Sequence, residues 1–214
     1  MKRIVLMVIP ALVCGVIFTS FGLHKVELKE VEAEGEMYEM SKTIVIDAGH
    51  GGRDVGAVFE DKRESDIVKS IADKIYQLNQ QNHIKIILLR DTEEFVGLND
   101  RVTRVNEIKP DFLISLHAQT SRNTNLSGIN AFISQENNFY NQSKEIASIL
   151  IEEVSSENLN KGKISVANFK IIKEVECPAV MIEIGFLSNI ADRNYISSEK
   201  GQTEIATKIL EAIK

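Results

Sequence analysis

Thr43-Ile44-Val45-Ile46-Asp47-Ala48-Gly49-His50-Gly51-Gly52 decides how the rest of this chain is read. Four consecutive β-branched residues predict a buried strand over 43–47. Glycines on both sides of one histidine predict a tight, exposed turn. Such a turn delivers His50 to the C-terminal edge of a sheet, where open α/β folds place their chemistry. A second apolar run, Phe112-Leu113-Ile114-Ser115-Leu116, ends the same way, in His117. Two strands that both end in histidine point to a metal site.

Outward from these two strands the pattern alternates. A helix is predicted over 65–80, where Ile67, Ile71, Ile75 and Leu78 recur at helical spacing. Residues 84–89 read as a buried strand. Residues 98–108 read as a short helix that Lys109-Pro110 ends, and 111–116 as the next strand. Further strands are expected over 128–134, 169–172 and 179–184. Helices are expected over 141–156 and 199–213. This alternation predicts an α/β fold, a mixed, mostly parallel sheet with helices on both faces.

Composition narrows the function. The chain has 214 residues, 43% hydrophobic and 26% charged, enough for one good core plus an appendage. Tryptophan is absent and aromatics make up 6%, which argues against extensive stacking on sugars or bases. The net charge is −6 and no basic block stands out, which argues against nucleic acid as a partner. The two cysteines, Cys14 and Cys177, lie in different regions and give neither a disulfide framework nor a cysteine zinc site. Cys177, beside Pro178, reads as a small buried thiol.

Residues 1–23 begin with Lys2-Arg3 and continue as an uncharged, mostly apolar run from Ile4 to Leu23. As a helix that run would span about 30 Å, the thickness of a hydrocarbon core. An uncleaved membrane anchor and a signal segment are both open, and either one exports the residues beyond Leu23. Residues 24–42 form an acidic linker with a root-mean-square span of roughly 25 Å. The rest of the chain, 43–214, is the folded domain.

Of the four histidines, His24 and His83 read as solvated. His50 and His117 each cap a strand and form a candidate ligand pair. Catalytic zinc usually takes three protein ligands and keeps a place for water. Glu64 stands at the entry of the first long helix and is the candidate third ligand. By itself it reads rather as a first-turn carboxylate favoured by the helix dipole. Glu183 interrupts the apolar run Pro178-Ala179-Val180-Met181-Ile182-Glu183-Ile184. A carboxylate in a buried strand is costly unless something pairs with it, so Glu183 reads as a site residue. Arg101 and Arg104, three apart on the helix after Leu98, read as solvated. Asp54 and Gly56 read as shaping the His50 loop.

From Thr43 onward the chain resembles the zinc-dependent N-acetylmuramoyl-L-alanine amidases of the type-3 family. The resemblance rests on IVIDAGHGGRDVGA (44–57), KRESDIV (62–68), LLRDT (88–92), LNDRVTRVNEIKPDFLISLHA (98–118) and PAVMIEIGFLSN (178–189), in order across about 170 residues. It implies a sheet of about six strands and makes 43–214 a zinc amidase catalytic domain. It also implies that His50, Glu64 and His117 hold Zn²⁺ and that Glu183 is the catalytic glutamate. The substrate implied is peptidoglycan, cut at the amide between N-acetylmuramic acid and L-alanine of the stem peptide. Two positions depart from the family pattern. Ala48 replaces a common proline, and Gln119 replaces a common asparagine after His117-Ala118. The short stretch 119–127 holds no inserted helix, so an open site is expected. The build of one apolar segment and one catalytic domain also resembles amidases of spore cortex maturation. Two other classes compete with this reading, an idle wall-binding module and a zinc hydrolase of another amide.

Overall fold

The computed structural model describes residues 42–80 and 83–214. The apolar segment, Cys14 and nearly all of the acidic linker lie outside the described residues. Lys42, the last linker residue by sequence, is the first residue of strand β1 (Lys42–Ala48). No helix among the described residues is long and apolar enough to cross a membrane.

Six strands make the main sheet. β1 pairs in parallel with β4 (Ile84–Leu88) on one side and β5 (Phe112–Gln119) on the other. β8 (Ala179–Phe186) adds to β5 in parallel. β6 (Ile129–Ile133) then runs antiparallel to β8, and β7 (Lys161–Val166) runs parallel to β6 at the edge. The order is β4-β1-β5-β8-β6-β7, a mixed and mostly parallel sheet. β2 (Val58–Phe59) and β3 (Lys62–Arg63) form a small separate hairpin.

The period of two along each strand sorts its residues between two cores. Ile44, Ile46, Ile114, Leu116, Val180 and Ile182 face one layer, built by α1 (Glu64–Leu78), α3 (Tyr140–Val154) and α6 (Glu199–Ala212). Val45, Leu113, Ala179 and Met181 face the other, covered by α2 (Leu98–Ile108) and the short α4 (Lys170–Lys173). Burial on both faces is why β1 and β5 read as continuous apolar runs. The second layer is thin. Its two helices leave the row of His117 and Glu183 open to the cleft described below.

Two sequence expectations are corrected. Residues 169–172 are not a strand; Phe169 precedes α4, whose Ile171 and Ile172 pack into the second core. The sixth strand is β7, Lys-Gly-Lys-Ile-Ser-Val, an edge strand that is mostly exposed and therefore carries no apolar run. Helix α5 (Ile190–Ile196) is a further element that the sequence pattern does not announce. Asn189 caps it, its side chain accepting from the Ala191 and Asp192 amides.

Candidate metal centre

Each functional side chain is placed by the end of an element. β1 runs out at Ala48, and His50 comes two residues later in the left-handed region at φ 60°. That conformation is uncommon for a residue with a Cβ and has to be held by its surroundings. A reciprocal backbone pair between Gly51 and Asp54 closes the turn, at 2.7 and 3.2 Å. Asp54 Oδ1 accepts from the Gly56 amide, and Asp54 Oδ2 lies 2.9 Å from His50 Nδ1. Asp54 and Gly56 therefore shape the His50 loop as their sequence position implies. With Nδ1 engaged, His50 turns Nε2 inward.

Glu64 is the first residue of α1. The helix start has no side-chain cap; the Glu64 and Ser65 amides donate instead to the Ala57 and Val55 carbonyls. The Glu64 side chain is thus free to turn inward, where it is 4% exposed. Its Oε2 lies 3.1 Å from His50 Nε2 and accepts from the Ala57 amide at 2.8 Å. Its Oε1 lies 2.8 Å from His117 Nδ1 and accepts from the Ala118 amide at 3.0 Å. Burial alone would raise the Glu64 carboxyl, but the hydrogen bonds from His117 and His50 outweigh it and hold it well below the usual carboxylate range. The Glu64 hydrogen bond, opposed by burial and helped by Asp54, pushes His50 up to about 9.

His50, Glu64 and His117 each offer a ligand atom, all within 4.8 Å of one another. Two imidazoles and one carboxylate form the donor set of a divalent ion with an open position. The backbone leaves room for it. A Cβ at Gly49 would come 2.6 Å from His117 Nε2, and one at Gly56 would come 2.6 Å from Glu64 Oε2. These glycines are required by close approach to the His117 and Glu64 side chains.

Glu183 stands beside this cluster. It is the register partner of His117 across β5 and β8. Its Oε2 is buried and has no hydrogen-bond partner among the described residues. Burial pushes its carboxyl up to about 7, against the pull of the two imidazoles. An unpartnered buried carboxylate oxygen is expensive unless a function keeps it. His50, His117 and Glu183 open together onto a cleft of about 800 Å³, whose other walls include Phe95, Leu98, Phe169 and Met181.

The four residues singled out from the sequence are thus brought together. Arg101, read there as solvated, requires a correction. It is 3% exposed and donates to Asp47 Oδ1, to the Ala48 and Val96 carbonyls at 2.9 Å each, and to the His50 carbonyl. Arg101 shares a helix face with Val105, four residues on, and that face packs inward. Asp47 also accepts from Ser115 Oγ at 2.7 Å. Arg90 is buried beside it and reaches the Ala48, Gly49 and Ser65 carbonyls at 3.3–3.4 Å. Two buried guanidinium groups therefore hold the backbone that carries His50. Arg104 is exposed, as its sequence position implies, and pairs with Glu94. His83 is exposed and lies outside the site.

Solved structures share this fold. The catalytic domain of CwlV, an N-acetylmuramoyl-L-alanine amidase of Bacillus (Paenibacillus) polymyxa var. colistinus, superposes with a TM-score of 0.74 at 29% identity, over 80% of this chain and 96% of that one. An N-acetylmuramoyl-L-alanine amidase of Clostridium difficile 630 gives a TM-score of 0.75 at 29% identity, over 81% and 95%. The sporulation-specific N-acetylmuramoyl-L-alanine amidase of Bacillus subtilis is 30% identical over 158 residues, 72% of this chain and 60% of that relative. The family model described as N-acetylmuramoyl-L-alanine amidase matches residues 44–214, so the chain belongs to that family.

Proposed function

We propose that this chain is an exported, zinc-dependent N-acetylmuramoyl-L-alanine amidase that cuts peptidoglycan between the lactyl group of N-acetylmuramic acid and L-alanine. Residues 1–23 act as the export segment, membrane-anchored or cleaved, 24–42 as the linker and 43–214 as the catalytic domain. The domain then works outside the cytoplasm, facing the wall. The similarity to a sporulation-specific amidase supports a role of that kind. The observation that carries the reading is the buried, unpartnered Glu183 oxygen next to a three-ligand cluster.

In this reading His50, Glu64 and His117 hold Zn²⁺. When bound, the ion supplies Lewis-acid activation of water and of the scissile carbonyl. Asp54 fixes the His50 ring so that Nε2 points at the centre. Glu183 accepts a proton at its free carboxylate oxygen from the attacking water, whose oxygen bonds to the lactyl carbonyl carbon. As the C–N bond breaks, Glu183 returns that proton to the departing nitrogen. The products are a lactyl carboxylate on intact glycan and a free L-alanine amine. A carboxyl raised by burial is a competent proton carrier near neutral pH.

The deciding experiment is mass spectrometry of peptidoglycan digested by the full chain, with chelator and with zinc restored. Free stem peptides that begin at L-alanine, and that disappear with chelator, are the expected products. Glycan fragments, internal peptide cuts or no release at all would overturn the reading.

A further inference from the structure

The row that holds His117 and Glu183 continues across the sheet. Glu183 is the register partner of Asn130 on β6. Asn130 Oδ1 accepts from the Lys163 amide at 3.2 Å, which brings edge strand β7 into the same row. Neighbouring strands lie about 4.8 Å apart, so Lys163 stands roughly 10 Å from Glu183. Here the sheet face is concave, a pocket of about 440 Å³ lined by Gln119, Ser127, Asn130, Phe132, Lys163 and Ser165, among others. Phe132 stacks edge-on against Phe169 of the larger cleft, with ring centres 5.4 Å apart. The two hollows therefore meet at the Phe132–Phe169 wall, and Glu183 lines the larger one.

The chemistry of this second hollow is one-sided. Lys163 is the only charged residue among its lining, in a chain of net charge −6. Lys163 is exposed, and its ammonium has no partner among the described residues, whereas Lys161 on the same strand pairs with Glu152. The rest of the polar lining is amide and hydroxyl. Gln119, which departs from the family pattern, is part of it.

We propose that this hollow is the stem-peptide subsite, in which Lys163 pairs with a carboxylate of the second or third peptide residue and Gln119 and Asn130 bond the peptide amides. This rests on the amidase reading. Charge complementarity favours the peptide over the glycan, because the sugars are neutral and the stem carries the acids. Reach agrees. An extended peptide advances about 3.5 Å per residue, so 10 Å from the scissile amide falls at the second and third residues. Lys163 is a specificity residue and takes no part in the proton transfers.

The test uses the full chain and three disaccharide-tripeptides. One carries free acids, one is amidated on the second residue's carboxyl and one on the third's. On the free-acid substrate, Lys163→Gln should raise KM about three- to tenfold with kcat unchanged, Lys163→Glu should raise it further, and Lys163→Arg should restore it. Amidating the carboxylate that Lys163 reads should raise the parent KM to the level of Lys163→Gln and abolish the effect of the substitution. Equal KM for the parent chain and Lys163→Glu on all three would overturn the subsite and leave the amidase reading intact. If the parent chain cleaves none of them, release of stem peptides from whole peptidoglycan decides the amidase reading. Titration calorimetry with the free-acid muropeptide then decides the subsite, and equal affinities for the parent chain and Lys163→Glu overturn it.

Discussion

Arg101 and Asp47 form an ion pair, 3% and 1% exposed, between the second helix and the end of the first strand, three residues before His50. The same guanidinium takes the His50 carbonyl, so a single side chain ties strand, turn and helix together. Arg101→Leu strands the Asp47 carboxylate in a dry site. We expect a loss of about 3–5 kcal/mol in urea unfolding. Asp47→Asn with Arg101→Leu should recover part of it, since no charge is then left unpaired. If the single variant unfolds at the parent midpoint, the pair has no such role.

The glycines next to His117 and Glu64 give a separate prediction. Gly49→Ala pushes a methyl group against the His117 ring, and Gly56→Ala adds a strained φ of +66° to contact with Glu64. Both should lower zinc affinity by about tenfold or more, measured by competition with a coloured chelator. Circular dichroism should show an intact fold, since neither position lies in the apolar core. Parent-like affinity in both variants would contradict the proposed ligand set.

Glu183 makes the metal-free protein sensitive to pH. Its carboxyl is raised from an ordinary 4.5 to about 7 by burial. The folded state therefore holds a proton that the unfolded state has lost between these values, and stability falls as pH rises through that window. The loss is on the order of 3 kcal/mol by pH 7–8. Glu183→Gln should make the profile shallower between pH 4.5 and 7, while the fall that the raised His50 causes above pH 6.5 remains in both proteins, so that the chelated variant is the more stable protein at pH 8 and close to the parent at pH 4.5. Parallel profiles would show that burial of Glu183 has no energetic cost. The same variant should keep its zinc and lose turnover.

Cys177 is buried in the second core, and desolvation pushes its thiol up to about 12. Under native conditions near pH 8 it should be alkylated by iodoacetamide at least about a hundredfold more slowly than in denaturant, as read by mass on the peptide that contains it. Rapid native labelling would show that the second core opens readily.

Most of the fold was legible because its strands are buried on both sides. The runs 43–47 and 111–116 are short and mostly apolar, the first also rich in β-branched residues, and the stripe of Ile67, Ile71 and Ile75 has the period of a helix. β7 was not legible, because an edge strand open to solvent carries no apolar run. The segment after Phe169 misled because Ile171-Ile172 is apolar enough for a strand, yet it makes one helical turn in the core shared with Val175 and Met181. The gathering of His50, Glu64, His117 and Glu183 was legible from motifs spread over the chain. The arginines behind them were not. Charge normally means exposure, and only the burial of Asp47 shows why Arg101 goes inward.

The reversal between β8 and β6 gives the molecule a division of labour. His50, His117 and Glu183 sit where parallel strands finish, fixed by the core beneath them. Beyond the reversal the same edge is built from strand beginnings, fed by the loops 120–128 and 155–160. Those loops carry none of His50, Glu64, His117 and Glu183. On the proposed reading, changes in those loops would alter which wall peptide the scaffold accepts and leave its chemistry intact.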